Sequence, residues 1–125
     1  VMTSRIELFV QNVAASADFY VRVLGFSSSE KQTAEYTVVR SGGVQIGLGA
    51  LANLPQDHPL QLRHPNERKG IGVEIVIEVD DVDAFYEKVR SSGYPIQEAL
   101  TVRPWGLKDF RLQDPDGYYL RITSR

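Results

Sequence analysis

The sequence predicts an α+β fold in which one strand–helix–strands unit is used twice. Three observations carry this. Strand-period alternation precedes each of two capped, helix-period stretches. Paired strands joined by a turn follow each of them. The two copies also overlay at constant shifts in numbering with side-chain parity kept.

The elements follow in order. In Arg5–Val10, Ile6, Leu8 and Val10 alternate with Arg5, Glu7 and Phe9, the period of a half-buried strand. Asn12 can cap a helix whose stripe is Ala15, Phe19 and Val23 with Tyr20 and Leu24, and Gly25 can end it. An edge strand is expected within 27–34. Tyr36–Arg40 and Val44–Leu48 read as strands joined by Ser41-Gly42-Gly43. Residues 50–69, with Pro55, Pro59 and Pro65, read as a loop-rich connection. Val73–Val79 is the next strand. Asp80-Asp81 caps a helix with the stripe Val82, Phe85, Tyr86 and Val89, closed by Gly93. Asp109–Gln113, the turn Asp114-Pro115-Asp116-Gly117 and Tyr118–Thr123 complete the chain.

A shift of 69 lays Ile6, Leu8 and Val10 on Ile75, Ile77 and Val79, and Arg5 on Glu74. A shift of 74 lays Tyr36, Gly43, Ile46 and Leu48 on Phe110, Gly117, Leu120 and Ile122. The five additional residues fall around Leu100–Leu107. Parity assigns Ile6, Leu8, Val10, Ile46, Leu48, Val73, Ile75, Ile77, Val79, Leu112, Leu120 and Ile122 to the face under the helices. The other face carries Arg5, Glu7, Phe9, Gln45, Gly47, Glu74, Val76, Glu78, Arg111, Gln113, Tyr119 and Arg121. It mixes charge with aromatic rings and has a glycine inside a strand, where a side chain is the norm. A curved sheet with such a face makes a cleft for a small molecule.

Composition narrows the function classes. With 42% hydrophobic and 24% charged residues the chain is globular. A net charge of −2, from 14 basic and 16 acidic residues, lacks the basic excess of a nucleic-acid binder. No apolar run has the ~18–20 residues of a membrane span. The absence of cysteine removes disulfides, thiol nucleophiles and thiolate metal ligands. No signal peptide is read at Val1-Met2-Thr3-Ser4, so a cytoplasmic protein is expected. No nucleophile elbow, phosphate loop or dinucleotide fingerprint is present.

Four segments are recognisable together: Phe19-Tyr20-x-x-x-Leu24-Gly25-Phe26, Val79-Asp80-Asp81-Val82 with Phe85-Tyr86, Pro104-Trp105-Gly106, and Asp109-Phe110-x-x-x-Asp114-Pro115-Asp116-Gly117-Tyr118. With them the sequence resembles the vicinal oxygen chelate superfamily of glyoxalases, extradiol dioxygenases, fosfomycin-resistance enzymes and bleomycin-resistance proteins. The resemblance covers nearly the whole chain and fails only over 50–69. It implies two βαβββ modules forming a cupped mixed sheet, the glyoxalase/bleomycin-resistance-like fold, in a homodimer. One domain, 1–125, would then hold a first module over about 4–50, a connection over about 51–70 and a second module over about 71–125.

Enzymes of this superfamily hold a divalent metal on the cupped face. Their ligands are His or Gln on the first strand, Glu on the last strand of the first module, His on the fifth strand and Glu on the final strand. Carried over, these positions are Arg5, Gly47, Glu74 and Arg121. Only Glu74 can ligate, because glycine has no side chain and arginine offers no lone pair. His58 and His64 lie in the connection and read as solvated surface. The resemblance is therefore closest to the bleomycin-resistance-like members, which also lack the metal set and sequester a drug. No metal and no other cofactor is expected.

The expected ligand-binding residues are Arg5, Phe9, Gly47, Glu74, Trp105, Tyr119 and Arg121, with no catalytic residue. Arg5, Glu74 and Arg121 are expected to converge. They read either as a salt-bridged replacement for the metal or as a cluster whose surplus positive charge receives an anionic or carbonyl-rich ligand. Trp105 reads as a stacking wall or a loop plug, and Phe9 and Tyr119 as further aromatic contacts or as packing at a dimer seam. Asp114-Pro115-Asp116-Gly117 reads as a turn rather than an acidic site. The expected function is metal-independent binding of a planar or anionic antibiotic or metabolite by a homodimer. The alternatives are a lyase, isomerase or dioxygenase-like enzyme using Glu74 or Glu7 as base, and a vestigial or structural domain.

Overall fold

The computed structural model describes residues 1–29 and 31–125. The chain divides into two compact units, Val1–Glu67 and Arg68–Arg125. In the first, β1 (Ile6–Val10) leads into α1 (Val13–Asp18), a π-helical turn at Phe19–Val23, β2 (Ser27–Ser28), β3 (Tyr36–Ser41) and β4 (Val44–Ala50). In the second, β5 (Glu74–Glu78) leads into α2 (Val82–Ser91), β6 (Glu98–Val102), β7 (Lys108–Gln113) and β8 (Tyr119–Thr123). Each unit is a βαβββ module with a four-stranded mixed sheet, in the orders β1-β4-β3-β2 and β5-β8-β7-β6.

The duplication holds at the level of register. Ile6 pairs with Ile46 and Leu8 with Leu48 across the parallel β1–β4 ladder, as Ile75 pairs with Leu120 and Ile77 with Ile122 across β5–β8. The shifts of 69 for β1 and 74 for β4 are thus built into the strand pairing, but the expected overlay of Tyr36 on Phe110 is not: Val39 faces Ile46 where Leu112 faces Leu120, a shift of 73, so Tyr36 lies on the face with Gly49 while Phe110 is buried in the core. The caps also stand where expected. Asn12 Oδ1 accepts from the Ala15 N–H at 2.9 Å and Asp81 Oδ1 from the Ala84 N–H at 3.0 Å. Gly25 and Gly93 follow the helical segments with φ of 79° and 80°, which glycine adopts without strain.

Several expectations need correction. The buried stripe of the first helical segment is Val13, Ser16, Ala17, Phe19, Tyr20 and Leu24, so Phe19, Tyr20 and Leu24 stand as expected, while Ala15 is exposed and Val23 half-buried. The true stripe begins one residue after the Asn12 cap and keeps helical spacing. Ile6 and Val73, assigned to the core face, are 38% and 58% exposed. Ile6 opens its strand and Val73 precedes β5, so both sit at the rim of their sheets. The edge strand expected in 27–34 is only Ser27–Ser28, and residue 30 of that range lies outside the described residues. Residues 100–107, read as an insertion, are mostly the end of β6 and its hairpin to β7.

The two cores are built alike. Leu8, Val10, Val39, Ile46 and Leu48 line the first, with Tyr20 edge-on to Phe19 at 4.9 Å and to Phe26 at 5.6 Å. Ile75, Ile77, Phe110, Leu112, Leu120 and Ile122 line the second, where Tyr86 meets Phe110 edge-on at 5.1 Å. No described helix is long and apolar enough to cross a membrane.

Most of the connection belongs to the first unit and is a chain of turns. Leu54, His58, Gln61 and Glu67 each donate a backbone N–H to the carbonyl three residues before. The Gln61 carboxamide donates to the Leu51 and Leu54 carbonyls, both at 3.2 Å. In the second unit Asp114 Oδ1 accepts from the Asp116 and Tyr118 N–H groups at 2.9 and 3.0 Å, so the Asp-Pro-Asp-Gly segment is a turn. Lys69 Nζ lies 2.7 Å from Asp116 Oδ1, with both side chains largely buried, and ties the entry of the second unit to that turn.

Ile46→Ala and Leu120→Ala, at equivalent fully buried positions, are each expected to cost about 2–5 kcal/mol by denaturant unfolding. Val73→Ala is expected to change stability by less than about 0.5 kcal/mol.

Candidate functional site

Each sheet has one face under its helix and one face without it. On the helix-free face of the first unit, Glu7 sits opposite Gly47 and Phe9 opposite Gly49 across β1–β4, while Tyr36 on β3 also pairs with Gly49. The glycines are filled positions. A Cβ at residue 47 would strike Glu7 Oε2 and the Tyr36 hydroxyl, and would lie 2.7 Å from Glu7 Cδ. A Cβ at residue 49 would meet the Phe9 ring carbons at 3.4 Å. The Tyr36 hydroxyl donates to both Glu7 oxygens, at 2.9 and 3.0 Å, and Arg5 Nε donates to Glu7 Oε1 at 2.8 Å. Partial burial, then the hydrogen bond into the carboxylate, raises the Tyr36 hydroxyl above its ordinary pKa, so it stays protonated as a donor. Arg5 is therefore a partner of Glu7.

The corresponding face of the second unit is an ion network. Arg121 Nη2 lies 3.2 Å from Glu74 Oε1, and Arg111 Nη1 lies 3.8 Å from Glu74 Oε2. Arg111 Nε is 3.6 Å from Glu98 Oε2 and 3.4 Å from Asp109 Oδ1. Arg103 Nε donates to Asp109 Oδ1 at 2.9 Å. The Asp109 side chain is fully buried, which is tolerable only beside these guanidinium groups. Burial works against the Arg111 charge, but its hydrogen bonds to Asp109 and Tyr119 outweigh this and hold its pKa above the ordinary value.

Trp105 stands at the tip of the β6–β7 hairpin. The turn is closed by Arg103 N–H to the Leu107 carbonyl at 2.8 Å and by Gly106 N–H to the Arg103 carbonyl at 2.9 Å. The indole is 55% exposed, with the Arg121 guanidinium 6.0 Å from its ring centroid. Glu74 and Tyr119, paired across β5–β8, line an open depression of about 340 Å³ bounded by Arg68 and the Gly70–Val73 segment.

The second unit thus brings together Glu74, Arg121 and Trp105 of the predicted set, with Tyr119 reaching the same network through Arg111. In the first unit Arg5 and Gly47 meet at Glu7, and Phe9 lies over Gly49. The surplus positive charge expected from Arg5 and Arg121 is absent from these pairings. Arg5 is paired with Glu7, and Glu74 is joined by Glu98 and Asp109 facing Arg103, Arg111 and Arg121.

Tyr36, Glu98, Arg103 and Asp109 were missing from the predicted faces. Parity places Tyr36 with Gly49 and Asp109 with Arg111, so those two were within reach of the pattern. Arg103 and Glu98 required recognition of β6. His58, read as solvated surface, is half-buried, with its ring 6.5 Å from that of Phe9.

The sequence profile of the Glyoxalase/Bleomycin resistance protein/Dioxygenase superfamily matches residues 3–122, and the chain belongs to that superfamily. Curated protein sequences give no match. Among solved structures the chain is similar to TioX from Micromonospora sp. ML1, at 21% identity over 99% of this chain and 98% of that one, with a TM-score of 0.78. It is similar to a glyoxalase/bleomycin resistance protein/dioxygenase from Nocardioides at 19% identity, with 99% and 83% coverage and a TM-score of 0.78. It also resembles a lactoylglutathione lyase from Agrobacterium tumefaciens at 18% identity, with 99% and 92% coverage and a TM-score of 0.73. At these identities the likeness establishes the fold.

The donor set does not fit the divalent metal that the superfamily's enzymes hold. The side-chain space of residue 47 is taken by a carboxylate bound to Arg5 and Tyr36. Residue 121 is a guanidinium, and Glu74 faces two guanidinium groups. Among the described residues no three His, Asp or Glu side chains gather as a metal shell.

Gly47→Ala is expected to lose about 1–3 kcal/mol in denaturant unfolding, because the added methyl displaces Glu7 and Tyr36. Gly43→Ala, with nothing within 4 Å, is expected to stay within about 0.5 kcal/mol. Adding Glu7→Ala to Gly47→Ala should recover part of the loss, a non-additivity read from the double-mutant cycle.

Proposed function

We propose that this protein binds a planar small molecule, an antibiotic or a metabolite, and sequesters it without metal and without bond chemistry, acting as a homodimer. The observation that carries this reading is the pairing of Trp105 with Arg121. An indole more than half exposed sits on a tight hairpin turn, and a guanidinium approaches its ring. A rigid aromatic surface of this kind binds flat ligands at low entropic cost. Glu74 meets the same Arg121, and with Tyr119, its partner across the strands, it offers polar contacts that fix orientation.

The carboxylates support binding over catalysis. Glu7 accepts from Arg5 and from Tyr36, so its lone pairs are already engaged, and Glu74 faces the positive charge of Arg121 and Arg111, which favours its weakly basic ionised form. Membership of a superfamily whose name includes bleomycin resistance agrees with a sequestering role.

Trp105 is the only tryptophan, so its emission and its indole N–H resonance report on this site alone. Titration with coumarin and with a panel of planar antibiotics and metabolites is expected to quench the emission and shift the resonance. In Trp105→Ala, calorimetric affinity for the compounds that respond is expected to fall about 10- to 100-fold, a loss of about 1.4–3 kcal/mol. Silence across the panel in fluorescence and in thermal shift would overturn the binding role. Turnover of a panel compound would place the protein among the superfamily's enzymes.

A further inference from the structure

We propose that the depression beside Glu74 and Tyr119 is an anion subsite with Arg68 as its receiving group, and that the ligand class is a planar compound carrying a carboxylate. The inference rests on the binding reading above and narrows its ligand. All the residues of the subsite belong to the second unit.

Ion pairing singles out Arg68. Among the described residues of the second unit, every lysine and arginine has a carboxylate partner except Arg68 and Lys88. Lys88 lies on α2, over the other face of the sheet. The acid that precedes Arg68 is committed elsewhere, since the Glu67 carboxylate accepts from the Arg63 N–H at 2.6 Å. On the open face Arg103, Arg111 and Arg121 are met by Glu74, Glu98 and Asp109, three guanidinium groups for three carboxylates. Glu74, which lines the depression, is thus already opposed by two cations. Glu78, the other acid on that side of β5, stands four residues along the strand, about 13 Å away. The network is balanced, and the charge of Arg68 is left over at the rim.

The wall that carries Arg68 is held in place. The next residue, Lys69, is locked to Asp116 at 2.7 Å, with side chains 13% and 3% exposed. The Tyr118 ring covers Gly70 so closely that a Cβ there would lie 2.6 Å from ring carbon Cδ1. The Val73 N–H donates to the Gly70 carbonyl at 3.1 Å and closes a turn with Gly72 at φ 81°. The Ile71 and Gly72 N–H groups make no hydrogen bond among the described residues, so this rim holds backbone donors as well as a guanidinium. A fixed backbone lowers the ordering cost of binding, and a guanidinium receives a carboxylate through two parallel hydrogen bonds.

The subsite adjoins the indole. Tyr119 borders the depression, and Arg121 is two residues further along β8, about 7 Å away on the same face. The Arg121 guanidinium is in turn 6.0 Å from the Trp105 ring centroid. A fused two-ring compound spans that separation, so its rings can lie by Trp105 while a terminal carboxylate enters the depression.

Coumarin and coumarin-3-carboxylate share one ring system and differ by one charge, which makes them a matched pair for calorimetric titration of the full chain. The wild type is expected to prefer the carboxylate about tenfold at low salt. Because Arg68 is exposed, the preference is expected to shrink between about 20 mM and about 0.5 M salt. In Arg68→Gln it is expected to fall to about twofold or less, with Arg68→Lys between, since an ammonium keeps the charge and loses the fork. Benzoate alone is expected to shift the Ile71 and Gly72 amide resonances in the wild type and to leave them in place in Arg68→Gln. Equal affinity for the two coumarins, or a preference that survives Arg68→Gln, would overturn the anion subsite while the binding role stands. A benzoate response that depends on Arg68, with Trp105 silent to both coumarins, would support the subsite while counting against flat-ligand binding at the indole. Silence toward all three compounds would overturn both.

Discussion

One helical segment can cover only one face of a four-stranded sheet, and the rest of this structure answers to that limit. In each unit the covered face takes the apolar residues of alternate strand positions, with Ile46 and Leu48 in the first and Leu120 and Ile122 in the second at its centre. The opposite face has no helix to pack against it, so its side chains must satisfy one another. In the first unit they do so over glycines, with Glu7, Phe9 and Tyr36 laid across β4. In the second they do so by charge, with guanidinium and carboxylate groups alternating across the strands.

The two solutions differ although the scaffold is the same. The register that sets Glu7 against Gly47 sets Val76 against Arg121. At the first pair the strand contributes the long side chain and the hairpin contributes none. At the second pair the hairpin contributes the charge and the strand contributes valine. Duplication therefore preserved where residues point, while the residues themselves diverged.

Much of the fold was legible because period and parity are local signals. The alternation in Ile6–Val10 and Glu74–Glu78, the Asn12 and Asp81 caps, and the turn at Asp114–Gly117 all appear where the residue pattern places them. The errors are equally instructive. β6 was hidden because Glu98–Val102 has a register shift against β7, which breaks the alternation that marks a strand. Of the two readings of Arg5, Glu74 and Arg121, the surplus-charge one counted charges only at positions equivalent to metal ligands, which leaves out their neighbours. Arg5 finds Glu7 two residues away, and Arg121 shares Glu74 with Arg111. His58 could not have been placed at all, since no periodicity connects a turn in the connecting segment to a ring on β1.

The crowding over Gly47 also sets what this face can become. A carboxylate placed at residue 47 would collide with the carboxylate of Glu7 and the hydroxyl of Tyr36. It would fit only once both had changed, and either change alone strands a partner of the other. A liganding side chain at residue 47 therefore needs three coordinated substitutions, and the intermediates are worse packed than the present arrangement. Residue 47 is in this sense insulated from single-step change.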